Sequence, residues 1–403
     1  MKILHTSDWH IGKHLHKIDL SEDLQLFFDW LIQTIGKEKI DVLLVSGDIF
    51  DQSNPSQAAQ KLYYDFLKRM LPLKCEIVIT GGNHDSVAML NAPKELLEAL
   101  NVRVVGGATE QISDLFFTFK DEEVDVVVAA VPFLRDRDIR KAAPGETYSD
   151  KIEQLRDGLK TYFEKISEHF IENHKGAKFI VMGHLYVQGA ELSESEREIQ
   201  IGNQAGVEHK IFGSEADYVA LGHIHKPYAV SAKSNIHYSG SPISFSFSEK
   251  EDNKQVNIIE ITSKQLEVNI VPIPKFRRLV SFQGTFDEVS EAISNFTNQF
   301  ELDALGEIEI NEETENVGVT ENVEDIIQHH GIEGLKIVKR KLIFKDRLMG
   351  GSGVFEGGID VADFTTTEMF EKRLEFETSY DDDFKDELRN AFKELLGNLG
   401  GKI

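Results

Sequence analysis

Short apolar runs alternate along the chain with longer stretches in which apolar residues recur every three or four positions. The runs are Ile3-Leu4, Val42-Leu43-Leu44-Val45, Ile77-Val78-Ile79, Phe179-Ile180-Val181 and Tyr218-Val219-Ala220-Leu221. Apolar runs bounded by turn residues predict buried strands. Leu24, Phe27, Leu31 and Ile35 repeat at helical spacing, and Ser21 is placed to cap that helix. Leu62, Phe66 and Leu67 predict a second helix over 56–70, and a third follows over about 89–100. Ile152, Leu155, Leu159, Phe163, Ile166 and Phe170 predict a helix over 150–173, ended by Gly176. After Tyr218 the texture turns to strands, over 228–230, 237–239, 256–261 and 266–272. Residues 1–275 therefore read as one α/β unit.

Pro272-Ile273-Pro274 stiffens the chain and marks a boundary. Residues 276–348 read as a small α/β module, with strands over 279–286, 304–310 and 335–344 and helices over 288–298 and 323–329. Met349 to Gly358 holds five glycines, and 349–364 reads as a linker. No Gly-Lys-Ser/Thr follows, so the chain is not expected to hydrolyse ATP by itself. Two short helical patterns, over 367–376 and 383–396, fill the tail 365–403. In the second, Phe384, Leu388, Phe392 and Leu395 form one stripe, which docks on a partner or folds back on its own module.

Each of the five runs ends in metal-ligand residue types. These ends are Asp8-Trp9-His10, Gly47-Asp48, Gly81-Gly82-Asn83-His84-Asp85, Gly183-His184 and Gly222-His223-Ile224-His225. Open α/β sheets place their sites at the C-terminal ends of strands. In extended chain, residues two apart face the same side, so Asp8 with His10, and His223 with His225, are expected to converge. Asp8, His10, Asp48, Asn83, His184, His223 and His225 are too many ligands for one ion and suit two. No cysteine is among them, which argues against a structural zinc site. Carboxylate, amide and imidazole together suit Mn²⁺, with Fe or Zn also accommodated. Asp48, with two oxygens on a central strand, takes the bridging role. Two cations about 3.5–4 Å apart clamp both oxygens of a phosphoryl displacement and lower the pKa of a bound water. His84 is left over, to hydrogen-bond the phosphate and protonate the departing oxygen as the catalytic general acid. Asp85 orients His84 or caps the next helix.

Composition narrows the field. At 403 residues the chain has room for two or three domains. The single cysteine, Cys75, allows no intramolecular disulfide and fits a reducing compartment. The first strand opens at Lys2 with no apolar leader, so no signal peptide is expected. No apolar run is long enough to span a bilayer, so no membrane is expected as a partner. A formal net charge of −25 argues against a general nucleic-acid coat. It leaves room for a nuclease whose positive charge comes from bound cations. Between Glu301 and His330 stand ten acidic residues and no Lys or Arg, a solvated face unsuited to DNA. Arg135-Asp136-Arg137-Asp138-Ile139-Arg140-Lys141 reads as a surface loop of compensating charges or as a contact for a DNA backbone. His14 and His16 receive no role.

Asp8-x-His10, Gly47-Asp48, Gly82-Asn83-His84-Asp85, Gly183-His184 and Gly222-His223-x-His225 resemble the metallophosphoesterase superfamily. The wording KILHTSDWHIG (2–12), GDIFD (47–51), GNHDS (82–86), YVALGHIH (218–225) and SGSPI (239–243) is similar to that of the SbcD-type nuclease subunits, bacterial relatives of the eukaryotic Mre nuclease. The resemblance covers residues 1–275 well and the small module more loosely. It implies an α/β metallophosphoesterase fold of two facing mixed sheets flanked by helices, followed by a small α/β capping domain and C-terminal helices. It implies one metal on Asp8, His10, Asp48 and His225, another on Asp48, Asn83, His184 and His223, and His84 as the transition-state histidine. The implied activity is Mn²⁺-dependent DNA cleavage, as a 3′ to 5′ exonuclease on duplex ends and an endonuclease on single strands and hairpins. A homodimer through the helices over 56–70 and 89–100 is implied, within a heterotetramer with an SbcC-type coiled-coil ATPase on which the C-terminal helices dock. The implied setting is DNA repair, recombination and replication in the cytoplasm, at the nucleoid. Two rivals remain. One is a phosphoesterase of the same fold acting on phosphoprotein or nucleotide, although the Asp-Arg-Gly that supplies the arginine of phosphoprotein phosphatases is missing after Asp48. The other is a non-catalytic scaffold subunit, although no ligand is missing.

Overall fold

The structure is a computed structural model. It describes residues 1–140, 145–189, 195–196, 206–231, 234–313 and 333–344, with scattered positions between 370 and 392. It divides into two compact units, Met1–Val280 with Asn298–Leu305, and Ser281–Thr297 with Gly306–Ile403.

The larger unit runs β1 (Lys2–Thr6), α1 (Ser21–Glu38), β2 (Val42–Ser46), α2 (Gln57–Met70), β3 (Glu76–Thr80), α3 (Val87–Asn91), α4 (Lys94–Glu98) and β4 (Val102–Val105). It continues through β5 (Phe116–Lys120), β6 (Asp125–Ala130), α5 (Tyr148–Asn173), β7 (Lys178–His184), β8 (Tyr218–Gly222), β9 (Tyr228–Ser231), β10 (Ser234–Tyr238), β11 (Gln255–Ile261) and β12 (Leu266–Pro272). Two six-stranded sheets result, in the orders β12-β11-β1-β2-β3-β4 and β9-β10-β8-β7-β6-β5. Strands β1 to β4 are parallel, as are β6, β7, β8 and β10. Antiparallel strands close three of the four edges, with β12 on β11, β9 on β10 and β5 on β6. This is the expected pair of mixed sheets flanked by helices.

Apolar side chains of both sheets share one core, from Ile3, Leu44 and Val78 on one side to Val128, Ile180 and Val219 on the other. Buried polar ties cross between the sheets, among them His5 Nδ1, which lies 3.0 Å from the Tyr218 hydroxyl, itself also an acceptor from Asn257. Burial pushes the His5 imidazole down to about 3, so the tie stays uncharged at neutral pH. Helix α1 buries Leu24, Phe27, Phe28, Leu31 and Ile35, and α5 buries Leu155, Leu159, Phe163, Ile166 and Phe170.

Three expectations change. Ser21 is the first residue of α1 and makes no cap; its N–H and hydroxyl instead donate to the carboxylate of Asp19. The helix expected over 89–100 is two short ones, because Pro93 has no N–H for the ladder and interrupts it. The strand at 116–120 and its partner at 125–130 extend the second sheet beyond what the apolar runs foretold.

In the smaller unit, a three-stranded sheet runs in the order Leu279–Gly284, Ala304–Glu312, Leu335–Phe344. Its helix, Phe286–Ser294, starts with a capping box between Thr285 and Glu288. The helix expected over 323–329 and the linker over 349–364 lie outside the described residues. Of the expected C-terminal helices only scattered positions are described; there Phe392 stacks on Phe370 and Arg389 pairs with Glu371.

The parallel strands aim β2 and β8 at one another, and Gly222 makes the closest approach. A Cβ there would stand 1.8 Å from the Ser46 carbonyl oxygen, and both partners are backbone. Gly222→Ala is expected to lower stability by at least about 1–3 kcal/mol, read as a fall in the urea midpoint. An unchanged midpoint would mean the sheets do not meet there.

Candidate metal centre

Each sheet contributes ligands just past its strands' C-terminal ends. Asp8 and His10 follow β1 and flank Trp9, which is fully buried. The indole packs edge-on against Phe28 and Phe66 at 5.0 and 5.1 Å and donates to Thr6 Oγ1. Trp9 thereby pins the loop to α1 and α2. Asp8 and His10 do converge, but not by extended alternation. Their φ angles are 52° and 46°, and those of Asp48 and His223 are 49° and 100°. Four ligands thus sit in left-handed backbone that side-chain-bearing residues rarely adopt, at a cost of order 1–3 kcal/mol each.

Asp48 lies between the others. Its Oδ2 is 3.5 Å from His10 Nε2, 3.4 Å from His184 Nε2 and 4.0 Å from His84 Nε2. Its Oδ1 accepts the His84 N–H at 2.9 Å. Asp8 Oδ1 accepts the His223 N–H at 2.9 Å and lies 3.9 Å from His184 Nδ1. His10 and His225 place their Nε2 atoms 3.1 Å apart. Asn83 Oδ1 is 3.0 Å from His184 Nε2. The His223 ring meets that of His184 edge-on at 5.5 Å. Three triads, Asp8–His10–His225, His10–Asp48–His84 and Asp8–Asp48–His184, bring their ligand atoms within 4.8 Å of one another. All seven expected ligands and His84 therefore meet in one cluster, in which Asn83 is half-buried and the others are buried, whereas His14 and His16 stay outside it. His14 bonds the Gly12 carbonyl and His16 lies against Phe247.

The donor set fits divalent cations. His223 Nε2 is buried with no hydrogen-bond partner, a costly state unless it ligates. His184 Nδ1 faces the Ser46 carbonyl and so carries a proton. Its Nε2 then either holds a second proton between Asn83 Oδ1 and Asp48 Oδ2, or offers its lone pair beside theirs to a cation. Two carboxylates, one amide and four imidazoles make a mixed oxygen and nitrogen site for a pair of divalent ions. His84 is held differently. Its Nδ1 donates to the Asp51 carbonyl at 2.7 Å, which turns Nε2 toward Asp48.

Several residues that shape the cluster carried no ligand signature. The Asp85 carboxylate neither orients His84 nor caps α3, which Ser86 caps. It accepts the N–H groups of Gly82, Ile49 and Phe50, stapling the loop after β3 to the loop after β2. Asp51 was visible inside the GDIFD stretch; its carboxylate lies 3.5 Å from His10 Nδ1 and pairs with Lys13 at 2.9 Å. Glu249 and Lys254, buried beside His225, follow the SGSPI stretch (239–243) but stand outside every motif. In the charged loop, Arg137 and Arg140 pair with Asp138 and Glu146, while Arg135 reaches the Asp85 carbonyl at 3.3 Å. Lys141 lies outside the described residues.

Burial pushes the Asp8 carboxyl up from 3.8 to about 7. Burial also opposes ionisation of Asp48, but the imidazoles of His184, His10 and His84 outweigh it and hold that carboxyl well below its usual range. Burial lowers His184, yet the Asp48 and Asp8 carboxylates carry it up to about 9. Both raised groups favour the folded chain at low pH. The Asp8 contribution is lost as pH rises between about 4 and 7, and that of His184 between about 6.5 and 9. Cations compete with these protons, so the gain in Tm from added Mn²⁺ is expected to grow from pH 6 to pH 8. Thermal melts at fixed Mn²⁺ check this; a gain independent of pH would place the ions elsewhere.

The Calcineurin-like phosphoesterase family model matches residues 1–227. The chain is similar to the SbcD subunit of the nuclease SbcCD of Escherichia coli strain K12, at 27% identity over 409 residues that cover 100% of this chain and 99% of that protein. The same-named protein of Staphylococcus epidermidis is 32% identical over 306 residues, covering 74% of this chain and 78% of that one. That of Bacillus subtilis is 33% identical over 266 residues, covering 64% and 66%. The chain belongs to the calcineurin-like phosphoesterases and, within them, to the SbcD-type nuclease subunits.

Proposed function

We propose that this chain is a two-metal DNA phosphodiesterase, a 3′ to 5′ exonuclease on duplex ends and an endonuclease on single strands and hairpins. One observation carries the reading: Asp8, His10, Asp48, His184, His223 and His225, all buried, converge with the half-buried Asn83 in one cluster with His84 at its side. Asp8, His10, Asp48 and His225 would hold one ion and Asp48, Asn83, His184 and His223 the other, with Mn²⁺ the ion proposed. When bound, the pair neutralises phosphoryl charge and acidifies a coordinated water. His84 acts from its fixed ring. With Nδ1 tied to the Asp51 carbonyl, Nε2 faces the Asp48 carboxylate, and it is the atom proposed to bond a phosphate oxygen and to deliver a proton to the departing one. Asp85 keeps the His84 and Asp48 loops in register, so the acid and the bridging carboxylate move together.

The proposed assembly is a homodimer joined to a coiled-coil ATPase of the SbcC type, working in DNA repair, recombination and replication, in the cytoplasm at the nucleoid. The relatives are named as one subunit of a nuclease, SbcCD, which supports a partner subunit here. Tyr64, Leu71, Leu96 and Leu100 are exposed on and beside α2 and α4, which supports that face as the dimer contact. No helix among the described residues is long and apolar enough to cross a membrane. The proposed division is a nuclease domain over 1–275, a capping domain over 276–348, a linker over 349–364 and docking helices over 365–403. Phe384 is exposed and suits the docking role, while Phe392 is stacked on Phe370.

The direct test is purified chain on labelled hairpin DNA with Mn²⁺, with and without chelator. Cleavage that the chelator abolishes is expected; hydrolysis of a phosphopeptide with DNA left intact would overturn the reading. His84→Ala is expected to keep the fold and bind both ions but to cut about 10²–10⁴-fold more slowly; full activity would remove His84 from the chemistry. Truncation at Gly350 is expected to spare cleavage of short single strands and to weaken ATPase-subunit binding in a pull-down, and unchanged binding would refute the docking role.

A further inference from the structure

Behind His225 lies a second polar cluster that the reaction does not use directly. Glu249 and Lys254 are both buried and form an ion pair, Nζ to Oε2, at 2.7 Å. Lys254 also donates to the His225 carbonyl and to Ser241 Oγ, each at 3.0 Å. The Glu249 carboxylate is further met by donors. The Phe245 N–H reaches Oε2 at 3.3 Å, Ser246 Oγ reaches Oε1 at 3.3 Å, and the Ser195 hydroxyl donates to Oε1. An ionised carboxylate only accepts, so these contacts fix the direction of the whole chain. Ser195 spends its proton on Glu249, and its oxygen is left to accept from His225 Nδ1, 2.5 Å away. Glu249 Oε1 itself lies 3.7 Å from that nitrogen. His225 therefore keeps its proton on Nδ1. Its Nε2 lone pair faces His10 Nε2 at 3.1 Å, inside the cluster with Asp8.

We propose that Glu249, acting through the Ser195 hydroxyl and anchored by Lys254, is the positioning residue that sets which ring nitrogen of His225 is bare and aims it at the cation shared with Asp8 and His10. The proposal rests on the two-cation reading of the site. A ligating imidazole whose other nitrogen is held by a carboxylate is fixed in both tautomer and orientation. Glutamine at 249 would reverse the chain. Its one oxygen would turn to the Lys254 ammonium, which only donates, and its NH₂ would face Ser195 and His225. Ser195 would then donate to Nδ1, and the proton of His225 would move to Nε2, the metal-facing atom.

Mn²⁺ titration of the full chain, with free ion counted by electron paramagnetic resonance, tests this alongside thermal melts. The wild type is expected to bind two ions. Glu249→Gln is expected to lose about 10- to 100-fold in affinity for one of them and to keep the other within about threefold, as expected of a site that shares no direct contact with Glu249. Ser195→Ala, which leaves the Glu249–Lys254 pair in place, is expected to weaken the same ion by less. Two ions bound by Glu249→Gln with wild-type affinities would overturn the proposal. So would an equal weakening of both ions with a fallen Tm, which would reduce Glu249 to a structural role. A wild type that binds no ion pair would instead sink the two-cation reading, and this proposal with it.

Discussion

The carbonyl of Ser46 sits where the ends of the two sheets touch, and most of the site is placed by that contact. It ends β2, it presses on the backbone of Gly222 at the end of β8, and it faces His184 Nδ1 at the end of β7 at 3.0 Å. One backbone atom thus aligns three strand ends and orients one ligand. The Ser46 hydroxyl reinforces it by donating to the Ala220 carbonyl, again across the gap between sheets. A side chain at 222 would push the sheets apart and pull the β2 ligands from those of β7 and β8. Nearby, a Cβ at Gly82 would overlap Asp48, so the loops must stay thin for carboxylate and imidazole to approach. Placement of the candidate ligands is therefore a property of sheet packing first and of the side chains second.

That packing gathers groups that do not belong together without a counter-charge. Asp8, Asp48 and Asp85 are buried in neighbouring loops, and burial with the Asp48 charge raises Asp85 to about 6. Protons on Asp8 and His184 can balance the cluster, but they occupy atoms that the proposed ligand set needs. The left-handed backbone at Asp8, His10, Asp48 and His223 adds strain in the same place. The surrounding structure holds this arrangement by Trp9 in its aromatic socket, Asp85 across two loops and Lys254 against Glu249. Such a site is stabilised by the cations it is built to bind, since anything that binds only the folded state adds to its stability.

The apolar runs made three of the four parallel strands of the first sheet and the centre of the second legible, because strands buried on both faces need no polar alternation, while Val102–Val105 went unread. The ligand types could be read because each stands at a strand end, a position that topology alone makes special. How they converge could not be read. Periodicity says that residues two apart share a face, yet Asp8 and His10 meet through left-handed turns that no alternation encodes. Pro93 stands inside the stretch expected as one helix, and its missing N–H decides the outcome. Asp85 reads as a group with local partners, whereas two of its three, Ile49 and Phe50, lie 36 and 35 residues away. Glu249 and Lys254 were invisible for the same reason. Their partner His225 lies more than twenty residues off, and a buried ion pair in a loop has no sequence pattern.

Charge bears on how such a chain meets a polyanion. The formal net charge is −25, and a surface of that sign repels DNA at long range. Part of the acidic stretch is neutralised where it is described: Glu307 and Glu309 pair with Lys339 and Lys341 on the neighbouring strand. These pairs soften the local field but supply no positive groove. Bound cations would invert the potential at one point, over a Debye length of about 8 Å at physiological ionic strength. Under the proposed function, the scissile phosphate would then be gripped strongly while the flanking phosphates are gripped little, so few counterions are released on binding. Affinity for long DNA would have to come from a basic surface on another subunit. In that division of labour the acidic chain would supply the cutting site, and a partner subunit would supply the hold on the substrate.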